Sequence, residues 1–150
     1  MKAIIQRVTQ ASITIDAEMH SGIAHGLLIL LGIDVKDTVS DADWLCQKII
    51  GLRIFSDEKG LMNQSVKDIH GDLLLVSQFT LIASYKKGNR PSFINAARPE
   101  QAIPLYEYCI KQLSALLGRP IATGVFAADM KVALVNDGPV TITMDSHNKE

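Results

Sequence analysis

Three polar side chains interrupt the most apolar stretch of this chain. Ser77, Gln78 and Thr80 stand among Leu73, Leu74, Leu75, Val76, Phe79, Leu81 and Ile82. A buried amide or hydroxyl left without a partner costs about 1–3 kcal/mol. Such groups therefore bond to a neighbouring strand or to water, or they stand where a strand end opens into a pocket and meets a ligand. Read as one strand over residues 73–83, Ser77 and Phe79 share one face and Gln78 and Thr80 the other. A hydroxyl placed there could attack a carbonyl carbon, but it needs a base, and no candidate base stands near Thr80 in sequence.

Two further segments have unusual composition. Asn136-Asp137-Gly138-Pro139-Val140-Thr141 opens with the residues of a tight turn. It reads as a hairpin connection between strands over 131–135 and 140–144, at a sheet end where it can project. The bond before a proline is cis in about 5–6% of cases, and a cis bond there would turn the two carbonyls in a fixed direction. Lys86-Lys87-Gly88-Asn89-Arg90-Pro91 concentrates positive charge in a polar loop over 84–98. That loop is either a solvated surface or a contact for phosphates. Four Phe, three Tyr and one Trp, with no RNA-binding string among them, do not make a stacking platform for single-stranded RNA.

The familiar catalytic signatures are missing. The chain has no GxSxG elbow, no GxxxxGK[ST] loop and no GxGxxG. Its four histidines, His20, His25, His70 and His147, show no metal-ligand spacing, and His25 and His70 adjoin glycines as solvated turn residues do. Neither a metal nor a cofactor is expected.

The elements that must position these groups read as a mixed α/β domain. Residues 3–8 are apolar and β-branched, 12–16 alternate with period 2, and 27–33 form a buried strand. Ser40 suits a helix cap, and Leu45, Ile49 and Leu52 follow on one helical face. Residues 53–56 form a strand closed by the turn Asp57-Glu58-Lys59-Gly60, and His70-Gly71-Asp72 makes another turn. A second helix carries Ala102, Tyr106, Cys109, Leu113 and Leu116 and stops at Gly118 and Pro120. Pro104 argues that its regular part starts there rather than at Pro99. Residues 145–150 read as a frayed polar tail. The expected architecture is one compact domain with mixed β-sheets and two main helices, layered helix, sheet, sheet.

Composition bounds the function. At 150 residues the chain is one domain, and 47% apolar residues suffice for a core. Fifteen basic against sixteen acidic side chains exclude a globally basic nucleic-acid glove but not a local patch. No apolar run approaches the ~20 residues of a membrane helix, and no export signal opens the chain. Cys46 and Cys109 lack CxxC spacing, so neither a disulfide framework nor a zinc site is expected. A cytoplasmic location follows as the expectation.

Five strings in register give the chain a family resemblance. Ile4-Ile5-Gln6-Arg7-Val8, Ser77-Gln78-Phe79-Thr80-Leu81, Arg90-Pro91-Ser92-Phe93, Phe126-Ala127-Ala128-Asp129-Met130 and Asn136-Asp137-Gly138-Pro139-Val140-Thr141 resemble the D-aminoacyl-tRNA deacylases. The likeness covers residues 1–145 and leaves 146–150 as a polar tail. It implies an esterase that clears D-amino acids, and glycine mischarged on tRNA(Ala), from tRNA. It implies a homodimer with the site at the subunit interface. There Gly138 and Pro139, joined by a cis bond, reach from one subunit into the pocket of the other. Their carbonyls would clash with an L side chain while a D side chain points away.

For the chemical step the resemblance leaves two routes. In one, Thr80 is the nucleophile. In the other, which we favour, the substrate's own 2′-hydroxyl helps activate water, and the backbone amides of Phe79 and Thr80 hold the oxyanion. Ser77 and Gln78 would orient the substrate, Met130 would pack on the adenosine, and Arg7 would brace the Gly-Pro pair. Lys86, Lys87 and Arg90 would contact the tRNA. A non-catalytic RNA- or nucleotide-binding module and a small-ester hydrolase without an RNA partner are the other readings.

Overall fold

A computed structural model describes residues 1–149. The chain opens with β1 (Lys2–Ile15), a single strand across both expected segments. Asp16 and Ala17, both at positive φ, then turn it into β2 (Glu18–Ile23), whose weak alternation did not announce a strand. β3 (Gly26–Gly32) pairs antiparallel with the first half of β1, and β2 pairs with the second half. α1 (Val39–Gly51) follows. Its cap is Thr38, not Ser40, because the Asp41 carboxylate reaches back to the Thr38 amide at 2.9 Å. β4 (Phe55–Ser56) and β5 (Met62–Gln64) make a small hairpin about the expected turn. β6 (Asp72–Ser77) runs parallel to β3.

α2 (Pro99–Leu117) starts at Pro99, not at Pro104. Pro99 takes a first-turn position, where its missing N–H is no loss. Pro104 lies on the exposed face, so the Glu100 carbonyl it cannot serve is on the solvent side. β7 (Ala122–Thr123) then pairs parallel with β6, and β8 (Lys131–Asp145) runs antiparallel along nearly all of β1.

Side-chain alternation in β3 and β6 explains the layers. Leu27, Ile29, Leu31, Leu73 and Leu75 face the helices and meet Leu45, Ile49, Cys109 and Leu113. Leu28, Leu74 and Val76 point the other way and meet Val8, Ala11 and Ile13 of β1. Each such side chain, fully buried, stabilises the fold by about 1.5–3 kcal/mol. The sheet therefore curls until its ends meet, where Ser21 Oγ of β2 donates to the Thr123 carbonyl of β7 at 2.8 Å. The result is the expected helix, sheet, sheet layering, nearly closed into a barrel. Tyr106 anchors α2 to the sheet by donating to the Leu75 carbonyl at 2.9 Å, and burial pushes its phenol pKa well up.

Three further expectations fail. Residues 73–83 are not one strand: β6 stops at Ser77, and Phe79–Ile82 form a short 3-10 helix. Gln78 N–H still donates to the Leu31 carbonyl at 2.7 Å, but β3 ends one residue later and offers nothing further to pair. Gly32 lets the 3-10 turn close over that end, since a Cβ there would stand 2.9 Å from Leu81 Cβ. Nor is Asn136-Asp137-Gly138-Pro139 a hairpin at a sheet end. Gln6 pairs with Thr141 and Val8 with Asn136, so residues 137–140 bulge from the middle of β8 opposite Arg7 alone. β1 is long enough to hold both flanks. The tail does not fray over its described part. Ser146 is buried, and its N–H donates to the Met1 carbonyl at 2.8 Å. Glu150 lies outside the described residues.

Candidate active site

The end of β6 presents its polar groups to solvent. Ser77 and Gln78 are half-buried and Thr80 is exposed, with Gln78 Nε2 donating to Thr80 Oγ1. The change from strand to 3-10 helix breaks the expected two-and-two facing of these side chains. Phe79 is 57% exposed, and its ring meets that of Phe93 edge-on at 5.0 Å. As the opening residues of a helical turn, Phe79 and Thr80 have N–H groups with no carbonyl to serve within it. No histidine or carboxylate is bonded to the Thr80 hydroxyl among the described residues.

The bulge on β8 is held differently. Arg7 Nε donates to the Asp137 carbonyl at 3.1 Å and lies 3.1 Å from its carboxylate, while Nη1 donates to the Ile54 carbonyl at 2.6 Å. Asn136 Nδ2 donates to the carbonyls of Arg7 and Val140, both at 3.0 Å, and ties the neck of the bulge. Gly138 has φ +126°, and a Cβ there would lie 2.8 Å from Val140 Cγ2 and 2.9 Å from Arg7 Nη2. Its bond to Pro139 is cis, and both residues are exposed. Turn-like composition concealed what Asn136 and Asp137 do; a residue pattern good for a turn is equally good for a bulge.

One chain keeps these two groups apart. Gln78 bonds to Leu31, whose β1 partner is Ala3. The bulge faces Arg7, four residues further along β1, about 13 Å away at ~3.3 Å per residue. Met130 is half-buried against the inner core beside Gly124. Lys86, Lys87 and Arg90 are exposed on a loop closed by paired bonds between Ser84 and Ser92, each 2.8 Å.

Among the described residues, donor atoms suited to a metal gather only at Asp37, Asp41 and His147. Asp37 is already bonded to the Met1 amine, the Asp34 N–H and His147 Nε2. Burial pushes the Asp41 carboxyl up, but bonds from Thr38 and Ser146 and the charge of His147 outweigh it and hold it at about 2. The cluster fastens the two chain ends together.

Comparison with known proteins places the chain. The family model described as D-Tyr-tRNA(Tyr) deacylase matches residues 4–145. The D-aminoacyl-tRNA deacylase of Porphyromonas gingivalis is 60% identical, and that of Flavobacterium psychrophilum 59%, each over the full length of both chains. A solved structure of the c-Myc DNA Unwinding Element Binding Protein superposes with a TM-score of 0.92 at 43% identity, over 97% of this chain and 98% of that one. The class is thus that of aminoacyl-ester hydrolases on a small α/β domain. Within it, the chain belongs to the D-Tyr-tRNA(Tyr) deacylase family, and its activity is hydrolysis of D-aminoacyl-tRNA. No helix among the described residues is long and apolar enough to cross a membrane.

Proposed function

We propose that the enzyme proofreads translation in the cytoplasm as a homodimer, each active site combining Ser77 to Thr80 of one subunit with Gly138-Pro139 of the other. The carrying observation is the bulge itself: a braced, exposed backbone element that does not reach the polar end of β6 in its own chain. A two-fold axis makes the exchange reciprocal, each bulge entering the partner's pocket.

Gly138 and Pro139 then exclude L substrates with backbone carbonyls. A backbone wall reads the configuration at the α-carbon and ignores the side chain, so one pocket serves many D-amino acids. Glycine has no offending group, so glycyl-tRNA(Ala) is cleaved as well. Ser77 and Gln78 orient the aminoacyl end, Met130 packs on the terminal adenosine, and Arg7 braces the wall. The amides of Phe79 and Thr80 receive the developing oxyanion while the 2′-hydroxyl of that adenosine helps activate water. The unassisted Thr80 hydroxyl favours this route over nucleophilic attack by Thr80, because a neutral hydroxyl needs a base. Lys86, Lys87 and Arg90 hold tRNA phosphates.

The test is release of amino acid from matched D-, L- and glycyl-tRNA. D and glycyl esters should be cleaved, and the L ester resisted by about a thousandfold, ~4 kcal/mol. Equal rates on D and L esters would refute the wall.

A further inference from the structure

A third side chain stands beside the bulge, in addition to Arg7 and Asn136. His25 sits in the short connection between β2 and β3. Its carbonyl accepts from the Asp72 N–H at 3.0 Å, which fixes its backbone to the start of β6. Its ring stands edge-on to the buried Phe55 ring at 5.2 Å. Nε2 then lies 3.9 Å from Oδ2 of Asp137, the oxygen that also faces Arg7 Nε at 3.1 Å. Phe55 follows Ile54, whose carbonyl takes the other Arg7 bond. Arg7, Ile54 with Phe55, His25 and Asp137 therefore form a closed chain of contacts at the base of the bulge. Gly138 is the next residue.

We propose that His25 is a positioning residue for chiral discrimination: acting through Asp137, it limits how far the Gly138-Pro139 backbone can shift. This rests on the reading of that pair as the wall. His25 and Asp137 are 52% and 38% exposed, so their contact adds little to stability. Its effect is on placement. Exclusion by a wall is steep in distance, and a displacement of ~1 Å near reacting atoms is worth up to about a hundredfold.

The experiment compares wild type, His25→Ala, His25→Gln and Gly138→Ala. It reads the L:D ratio of aminoacyl-tRNA hydrolysis in all four and the NMR position of the Gly138 amide in the first three. His25→Ala should melt within a few degrees of wild type and hydrolyse the D ester within about twofold. It should raise the L:D ratio about three- to tenfold and move the Gly138 amide. His25→Gln, which puts an amide N–H toward Asp137 in place of the ring, should bring the ratio most of the way back to wild type. An unmoved amide overturns the proposal. So does an unchanged ratio in His25→Ala when Gly138→Ala raises it. Should Gly138→Ala also leave the ratio unchanged, the wall reading has failed instead, and the amide position alone then decides whether His25 holds the bulge.

Discussion

Ser77 to Thr80 and Asp137 to Pro139 are both short polar interruptions of apolar β-structure, yet they are held in opposite ways. The first contains the last ladder bond of its strand, from the Gln78 N–H, and its side-chain bond is internal, from Gln78 to Thr80. The second is bound by Arg7, by Asn136 across its neck, and by a glycine with no room for a Cβ. An element that receives a substrate can adjust to it. An element that excludes one must not move, because a wall that yields stops discriminating. In the proposed function the braced bulge fits the second task and the exposed strand end the first.

The largest effect expected from breaking this contrast is at Gly138. Gly138→Ala puts a methyl group against Val140 and the Arg7 guanidinium at a φ that alanine rarely adopts. Discrimination should fall tenfold or more while residual D cleavage remains. Mixing Gly138→Ala with an inactive Gln78 and Phe79 double alanine variant sharpens the point. If the bulge serves the partner's pocket, a heterodimer carries one doubly altered site and one intact site. Wild-type discrimination should reappear, with activity near half of wild type per heterodimer. No recovery after confirmed subunit exchange would return the bulge to its own subunit.

The same contrast explains what could be read in advance. The helices and the inner strands were legible because apolar periodicity reports burial directly: Leu45 and Ile49, Leu27 to Ile33, and Leu113 all face a core as expected. The two polar interruptions were visible as composition but not as geometry. Whether residues 78–82 continue a strand depends on where β3 ends, which is a property of another segment. Whether Asn136 to Pro139 turns or bulges depends on the length of β1. The order of the tail is hidden from its own residues for a similar reason, since Ser146 is held by Met1 at the other end of the chain. β2, short and polar, exists because β1 offers it an edge.

A smaller effect is expected at Thr80, in the 3-10 turn of the proposed receiving side. Its hydroxyl accepts from Gln78 and has no base beside it. Thr80→Ala should therefore lower the D-aminoacyl-tRNA rate only severalfold, whereas a 2′-deoxy terminal adenosine should remove most of it. A loss near a thousandfold in Thr80→Ala, or an acyl group trapped on Thr80, would make this region a nucleophile's setting and end its description as a passive receiver.

The smallest effect concerns the loop beyond the receiving side. Residues 84–92 are closed at their base by the Ser84 and Ser92 pair, and Lys86, Lys87 and Arg90 are exposed toward the tip. In a chain of net charge −1, three cations so close together make a local positive patch without making the whole surface attractive to RNA. A cation that neutralises a phosphate releases a condensed counterion, so affinity falls as salt rises, with a slope of roughly 0.7–0.9 per contact. Removing two contacts should therefore flatten the logarithmic salt dependence by roughly 1.5. The Lys86→Ala, Lys87→Ala double variant should bind tRNA more weakly at low salt and converge on wild type at high salt. Its melting temperature should not change, because both side chains are exposed to solvent. Its D over L preference should also stay at the wild-type value, since among the described residues no hydrogen bond or ion pair links the loop to the bulge or its braces. An unchanged salt slope would make the loop plain solvated surface. A changed D over L preference would mean that the receiving side is itself held by this loop, and the contrast between a braced wall and a free strand end would have to be redrawn.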